Sequence, residues 1–396
     1  MKKYLLVLLF LSVFSVFCKD RLKLFLPEAI FTVPGIEMNV YFDNIVRTIC
    51  PERYVFDVNC AKGQNLARHW RFTPKDSDIG EYVWKIRIFD DDGLSAQGET
   101  KLIVVPRNAG ENRKVSILMI GDSLTNGQSY PPHVHKLFQI PGNPNFRMVG
   151  SYHLAGVPVK PDGPANEGYA GWKWGTFLTQ WKPLPSKSGS DGKPLSPYDY
   201  SMKLHYARSP FLFEKNGLPE LDFQSYLDKY NAGKAPDFIT IMLGTNNIVL
   251  SSDESFSKDS ETAFRDMDTL LAAIRKAAPD AVIGIGFPPP PARSQDGFGR
   301  MHGCGTTRWQ AKKNTHAYMF ALTEKIRKEN PYRIRLIPTF LNLDCEMNYP
   351  MRTEEVNQRN PEKIQMHIQN VHPAKTGYHQ IGDTFYCWLK YQLNQK

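Results

Sequence analysis

Two uninterrupted apolar runs constrain this chain more than any other feature: VSILMIG, Val115 to Gly121, and DFITIMLG, Asp237 to Gly244. Neither alternates between apolar and polar residues, so a strand made from either must be covered on both faces. Parallel strands flanked by helices meet that requirement. The segments between and after them supply the helices. Ser260–Asp280 places Phe264, Met267, Leu270, Leu271 and Ile274 at helical spacing, and Trp309–Pro331 and Gly377–Leu393 read as further helices. AVIGIGFPPPP and RIRLIP add two strands, the first halted by prolines. The expectation for 115–396 is therefore an α/β domain of three layers, α/β/α, with ligands at the carboxyl ends of its strands.

The preceding 20–106 has a different grammar. Tyr54, Phe56 and Val58 share one face of a short alternating run, and so do Tyr82, Trp84, Ile86 and Ile88 before the turn Asp90–Gly93. This predicts a small antiparallel β-sandwich, Ig-like in character, joined by a polar linker at 107–114. Between Pro183 and Pro236 lies an insertion rich in Ser, Gly, Pro and Tyr, in which LDFQSYLDKYN reads as a short helix. Long insertions of this kind often shape clefts.

The first residues put Lys2 and Lys3 before an apolar run that ends near Phe17, followed by Cys18. The run is too short to span a membrane and is expected to be an export signal over 1–18, with cleavage after Cys18. Lipidation of Cys18 is the rival reading, opposed by the bulky Phe17 before it. Export places the protein in the periplasm or outside the cell, with outer-membrane association an alternative. In an oxidising compartment Cys50 and Cys60 are candidates for a disulfide, as are Cys304 and Cys345, leaving one thiol over. No Cys-x-x-Cys pair suggests a zinc cluster. The formal charge of +9 comes without a dense Lys/Arg run, which argues against a nucleic-acid partner.

The chemistry-bearing residues are scattered but ordered. ILMIGDSLTNG runs a buried strand into Gly121, Asp122 and Ser123, so that Ser123 sits in a sharp turn at the mouth of a sheet. Farther on come EGYAGWKW, GTNN and VHP, containing Gly171, Asn246 and His372. In these four blocks the chain resembles the GDSL, or SGNH, hydrolase family, which has a flavodoxin-like fold. The resemblance implies Ser123 as nucleophile and His372 as general base. It further implies an oxyanion hole formed by the Ser123 and Gly171 backbone N–H groups with the Asn246 amide, and no cofactor or metal. Asn247 stands where many members have Asp, and is expected to support its loop.

One position departs from the pattern. The family usually carries Asp three residues before the histidine, and here that residue is Gln369. A glutamine carbonyl can accept the Nδ1–H bond and fix the tautomer, but supplies no charge. Asp344 and Glu346 are alternative carboxylates. Trp172 and Trp174 are candidates for stacking on a sugar ring, with core packing as the plainer reading. His133 and His135 have a His-x-His spacing without a nearby third ligand, and His379 is expected on a helix surface. The activity expected is that of a serine esterase removing O-acetyl groups from a polysaccharide or oligosaccharide. The alternatives are a lipid esterase or lysophospholipase, and a catalytically impaired glycan-binding protein.

Overall fold

Alternating residues in the first third of the chain form seven strands: β1 (Ala29–Thr32), β2 (Met38–Tyr41), β3 (Val55–Asn59), β4 (Gln64–Asn65), β5 (His69–Phe72), β6 (Gly80–Asp90) and β7 (Gly93–Val104). The structure, a computed structural model, describes residues 22–126, 130–154, 157–158 and 162–395. The expected export signal and Cys18 lie outside the described residues. One small sheet runs β1–β7–β6–β3 and a second runs β2–β5–β4. The alternation in β6 has the anticipated effect: Trp84, Ile86 and Ile88 are buried while Val83, Lys85 and Arg87 face outward. Trp84 meets Trp70 of β5 edge to face at 6.2 Å.

Two expectations for this region need correction. The pairing is not wholly antiparallel, because β1 lies parallel to β7. These two strands are joined by no hairpin, and only a hairpin would oblige them to run in opposite directions. Nor are the cysteines paired: Cys50, Cys60, Cys304, Cys345 and Cys387 are all free. A turn at Pro51–Arg53 and the extended β3 lie between Cys50 and Cys60. Cys345 is buried with its thiol toward Asn44 Oδ1, 3.3 Å away, while Cys304 is exposed after a helix.

The remainder of the chain supplies β8 (Lys114–Gly121), α1 (Tyr130–Phe138), β9 (Asn145–Val149), β10 (Glu167–Gly168), α2 (Pro197–Ala207), α3 (Phe223–Asn231), β11 (Phe238–Met242), α4 (Phe256–Ala277), β12 (Val282–Gly286), α5 (Gln295–His302), α6 (Arg308–Lys328), β13 (Ile334–Ile337), the hairpin β14 (Met351–Asn357) and β15 (Asn360–His367), and α7 (Lys375–Asn394). The apolar runs are neighbours in a parallel sheet of order β9–β8–β11–β12–β13, to which β10 adds a short parallel pair beside the end of β8. α1 packs with α7, whose Trp388 lies over Gly284 of β12. α4 and α6 pack together, with Phe264 and Tyr318 stacked at 5.0 Å. Strand order reverses between β8 and β11, which is where open α/β sheets leave a crevice at their carboxyl ends. Among the described residues no helix is long and apolar enough to cross a membrane.

The segment 107–114 is not a free linker. Arg107 donates to the Pro34 carbonyl at 3.0 Å, and the buried Lys390 of α7 donates to the Ala109 carbonyl at 2.6 Å.

Candidate active site

β8 delivers its last residues into a tight turn in which the N–H groups of Thr125 and Asn126 both donate to the Asp122 carbonyl. Ser123 is thereby left half-exposed at the carboxyl edge of the sheet, with its own N–H free of any hydrogen bond among the described residues. Asp122 is buried; its carboxylate accepts from the Leu124 N–H at 2.9 Å and, more weakly, from the Asn246 amide at 3.3 Å. Burial without a cationic partner pushes its pKa up to about 7. Asp122 is thus a turn-forming residue.

His372 approaches from the opposite end of the chain. Its Nε2 lies 2.8 Å from Ser123 Oγ, across 249 residues of sequence. The imidazole sits on the loop between β15 and α7, and that loop is tied down along its length. The Ile368 N–H donates to the Pro350 carbonyl, the Ala292 N–H to the Asn370 carbonyl and the Ala374 N–H to the Asn348 carbonyl; the Asn370 amide meets His302 Nε2 at 3.0 Å. Burial lowers the pKa of His372 below 6.5, so the ring is neutral at pH 7 and can accept a proton.

Asn246 follows β11, on the other side of the crevice. Its side-chain amide donates to the Trp172 carbonyl at 3.0 Å and so ties the turn after β11 to the loop carrying Gly171. Gly171 has φ +78°, a conformation that L side chains rarely adopt, and its N–H makes no hydrogen bond among the described residues. Gly168 serves a different end: a Cβ there would lie 2.5 Å from the Asn126 backbone nitrogen, so only glycine lets this loop press against the serine turn. Asn247 is buried and its N–H donates to the Gly244 carbonyl.

Several candidates are corrected. Gln369 makes no hydrogen bond to His372; its Oε1 is buried without a partner. The ring is held instead by Ser123 and by the anchored backbone around it. Asp344 and Glu346 are committed elsewhere, Asp344 to Arg68 at 2.7 Å and Glu346 to Arg293 at 2.6 Å. Trp172 and Trp174 are buried and offer no open face: Trp172 stacks on Tyr169 at 4.1 Å. His133 and His135 diverge on α1, His133 bonding Asp383 at 2.8 Å and His135 the Asp162 carbonyl at 2.9 Å. His379 is not a bare surface residue; it stacks on His133 at 4.1 Å. Among the described residues no group of three or more His, Cys, Asp or Glu side chains suits a metal ion.

A buried network under the Gly171 loop was not anticipated. Glu167 is wholly buried and accepts from the Ser151 N–H and hydroxyl, the Tyr169 hydroxyl and the Tyr226 hydroxyl, all within 2.6–2.8 Å. His205 of α2 donates from Nε2 to the Gly168 carbonyl at 3.1 Å and stacks on Tyr169 at 4.2 Å. The hint in the sequence is the Glu beside Gly168, an acidic residue placed next to the end of a buried strand.

No protein-family model matches the sequence, and no curated protein matches it. Similar solved structures include a carbohydrate esterase family 3 protein from Talaromyces cellulolyticus, with 14% identity over 71% of this chain and 99% of that one at a TM-score of 0.40. A family 3 carbohydrate esterase from Clostridium thermocellum has 13% identity over 72% and 98% at 0.39. A possible lipase from Chitinophaga pinensis has 11% identity over 71% and 100% at 0.37.

Proposed function

We propose that this chain is an exported serine esterase of the SGNH type that removes O-acetyl groups from polysaccharides or oligosaccharides. The observation that carries the reading is the 2.8 Å approach of His372 Nε2 to Ser123 Oγ, at a strand end that also gathers Asn246 and Gly171. A serine hydroxyl is a poor nucleophile until a base takes its proton. Ser123 Oγ attacks the ester carbonyl while His372 accepts the hydroxyl proton. The carbonyl oxygen becomes an oxyanion facing the unbonded N–H groups of Ser123 and Gly171 and the Asn246 amide, whose 3.3 Å contact with Asp122 is the weaker of its two bonds. Collapse of the tetrahedral intermediate expels the sugar alkoxide, which takes the proton from His372. Water, activated by the same imidazole, then releases acetate from Ser123.

The test is labelling by a serine-reactive fluorophosphonate together with hydrolysis of nitrophenyl acetate. Wild type is expected to react in both assays, and Ser123→Ala to react in neither. Equal slow hydrolysis by the two proteins would sink the catalytic reading and leave a glycan-binding protein in its place.

A further inference from the structure

A cavity of about 280 Å³ lies between the N-terminal strands and the loops that follow β12 and β13. Its walls include Glu52, Tyr54, Phe56 and Arg68 on one side and Arg293 and Glu346 on the other. The last two lie on the loops leaving β12 and β13, so the cavity opens at the same carboxyl edge of the sheet as Ser123. These strands are two and three positions from β8 in the sheet. The His372 loop links the two places, since the Asn370 carbonyl accepts the N–H of Ala292, next to Arg293.

The lining identifies a class of ligand. Arg293 pairs with both Glu52 and Glu346, and Arg68 with both Asp344 and Glu346. These two arginines face three carboxylates, Glu52, Asp344 and Glu346, so the wall carries a slight negative excess and does not favour an anion. It does offer hydrogen-bonding capacity in fixed directions, because a guanidinium has five N–H donors and a carboxylate about four acceptor sites. Half-exposed Tyr54 stands beside this polar array, its ring 6.5 Å from that of Phe56, which is itself buried and stacked on Phe42 at 4.6 Å. One open aromatic face next to oriented donors and acceptors suits a ring with hydroxyls on its rim and C–H groups on its face. An acyl chain would leave the ion pairs desolvated and unanswered.

We propose that this cavity is a distal saccharide subsite, which holds an unreacted sugar of the polymer while an acetylated sugar reaches Ser123, and that the N-terminal strands serve to complete it. This rests on the esterase reading for its link to catalysis, but the binding itself does not. Tyr54→Ala and, separately, Glu52→Ala change half-exposed or exposed side chains. Each is to be assayed on nitrophenyl acetate and on acetylated xylo-, manno- and cello-oligosaccharides. The ratio of kcat/KM on the oligosaccharide that wild type cleaves best to that on nitrophenyl acetate is expected to fall about tenfold in both variants. An unchanged ratio in both, or a wild type that cleaves nitrophenyl acetate through Ser123 but none of the oligosaccharides, overturns the proposal. Calorimetry with xylohexaose, mannohexaose and cellohexaose on Ser123→Ala supplies an arm independent of catalysis. Binding of one of them, weakened about tenfold by adding Tyr54→Ala, supports the cavity even if the esterase reading fails. Binding of none, or binding indifferent to Tyr54, refutes it.

Discussion

In the proposed mechanism His372 acts without the charge that usually accompanies such a base, and two measurable consequences follow. With no carboxylate bonded to His372 among the described residues and with burial opposing protonation, the imidazolium is disfavoured and the acid limb of the kcat/KM profile on nitrophenyl acetate is expected below pH 6.5. Asp at position 369, three residues before His372, introduces a negative charge on the same loop, which stabilises the protonated form of the ring if it reaches it. Gln369→Asp should therefore move that limb to higher pH while raising kcat above it, because the imidazolium formed in the transition state is the species being stabilised. A profile that does not move would mean that the residue at position 369 does not reach the ring. Asn246→Ala should lower kcat by about 10²–10³ with little change in KM, as loss of an oxyanion donor does elsewhere. Ser123, Asn246 and His372 were singled out in the sequence through the resemblance of their four blocks to one family, and the fold brings Ser123 and His372 to 2.8 Å. That Gln369 Oε1 is left without a partner was not legible, because a glutamine rotamer depends on packing from distant segments and leaves no trace in spacing.

At the scale of elements, the insertion between Pro183 and Pro236 braces the loop that runs from Glu167 to Gly171. Its helices α2 and α3 contribute His205, which holds the Gly168 carbonyl, and Tyr226, which bonds Glu167. Helix α3 was readable from its apolar spacing, whereas the brace depends on which buried polar groups meet. His205→Phe should leave the fold intact and lower kcat on nitrophenyl acetate about tenfold at unchanged KM, since the loop that positions the Gly171 N–H loses a fixed point. The same residue gives a stability signature. Burial lowers its pKa from 6.5 to about 4, so between these values the unfolded chain binds a proton that the folded chain does not. Native stability is therefore lost as pH falls through that window and is unaffected by this group above it. The gap in Tm between wild type and His205→Phe should narrow, or reverse, as pH falls from 6.5 toward 4. A constant gap would show that His205 is not held neutral.

For the whole molecule, the question is whether the N-terminal strands are an appendage. The sequence separates them from the rest by a change of grammar at about Pro106, and β3, β6 and β7 were read from it, whereas β1 and β2, buried on both faces, carry no alternation to read. The attachment of the strands was not legible, because it is built from single polar residues. Asn44, fully buried, donates to the Phe340 carbonyl at 2.8 Å and to the Leu343 carbonyl at 2.7 Å, and the Tyr41 N–H donates to the Leu341 carbonyl at 3.1 Å. Asn39 bonds Asn342 in the same way, and the apolar core runs without interruption from β1 and β6 into β8, β11 and α7. A junction of this kind couples the two parts thermodynamically, because opening it exposes buried carbonyls along with apolar surface. Scanning calorimetry should therefore show one cooperative transition for the chain. Asn44→Leu, similar in volume but unable to donate, leaves two buried carbonyls unanswered and should cost about 2–4 kcal/mol, lowering that single transition as a whole. Two resolved transitions in wild type, with only the lower one sensitive to Asn44, would mean that the N-terminal strands fold as a separate unit.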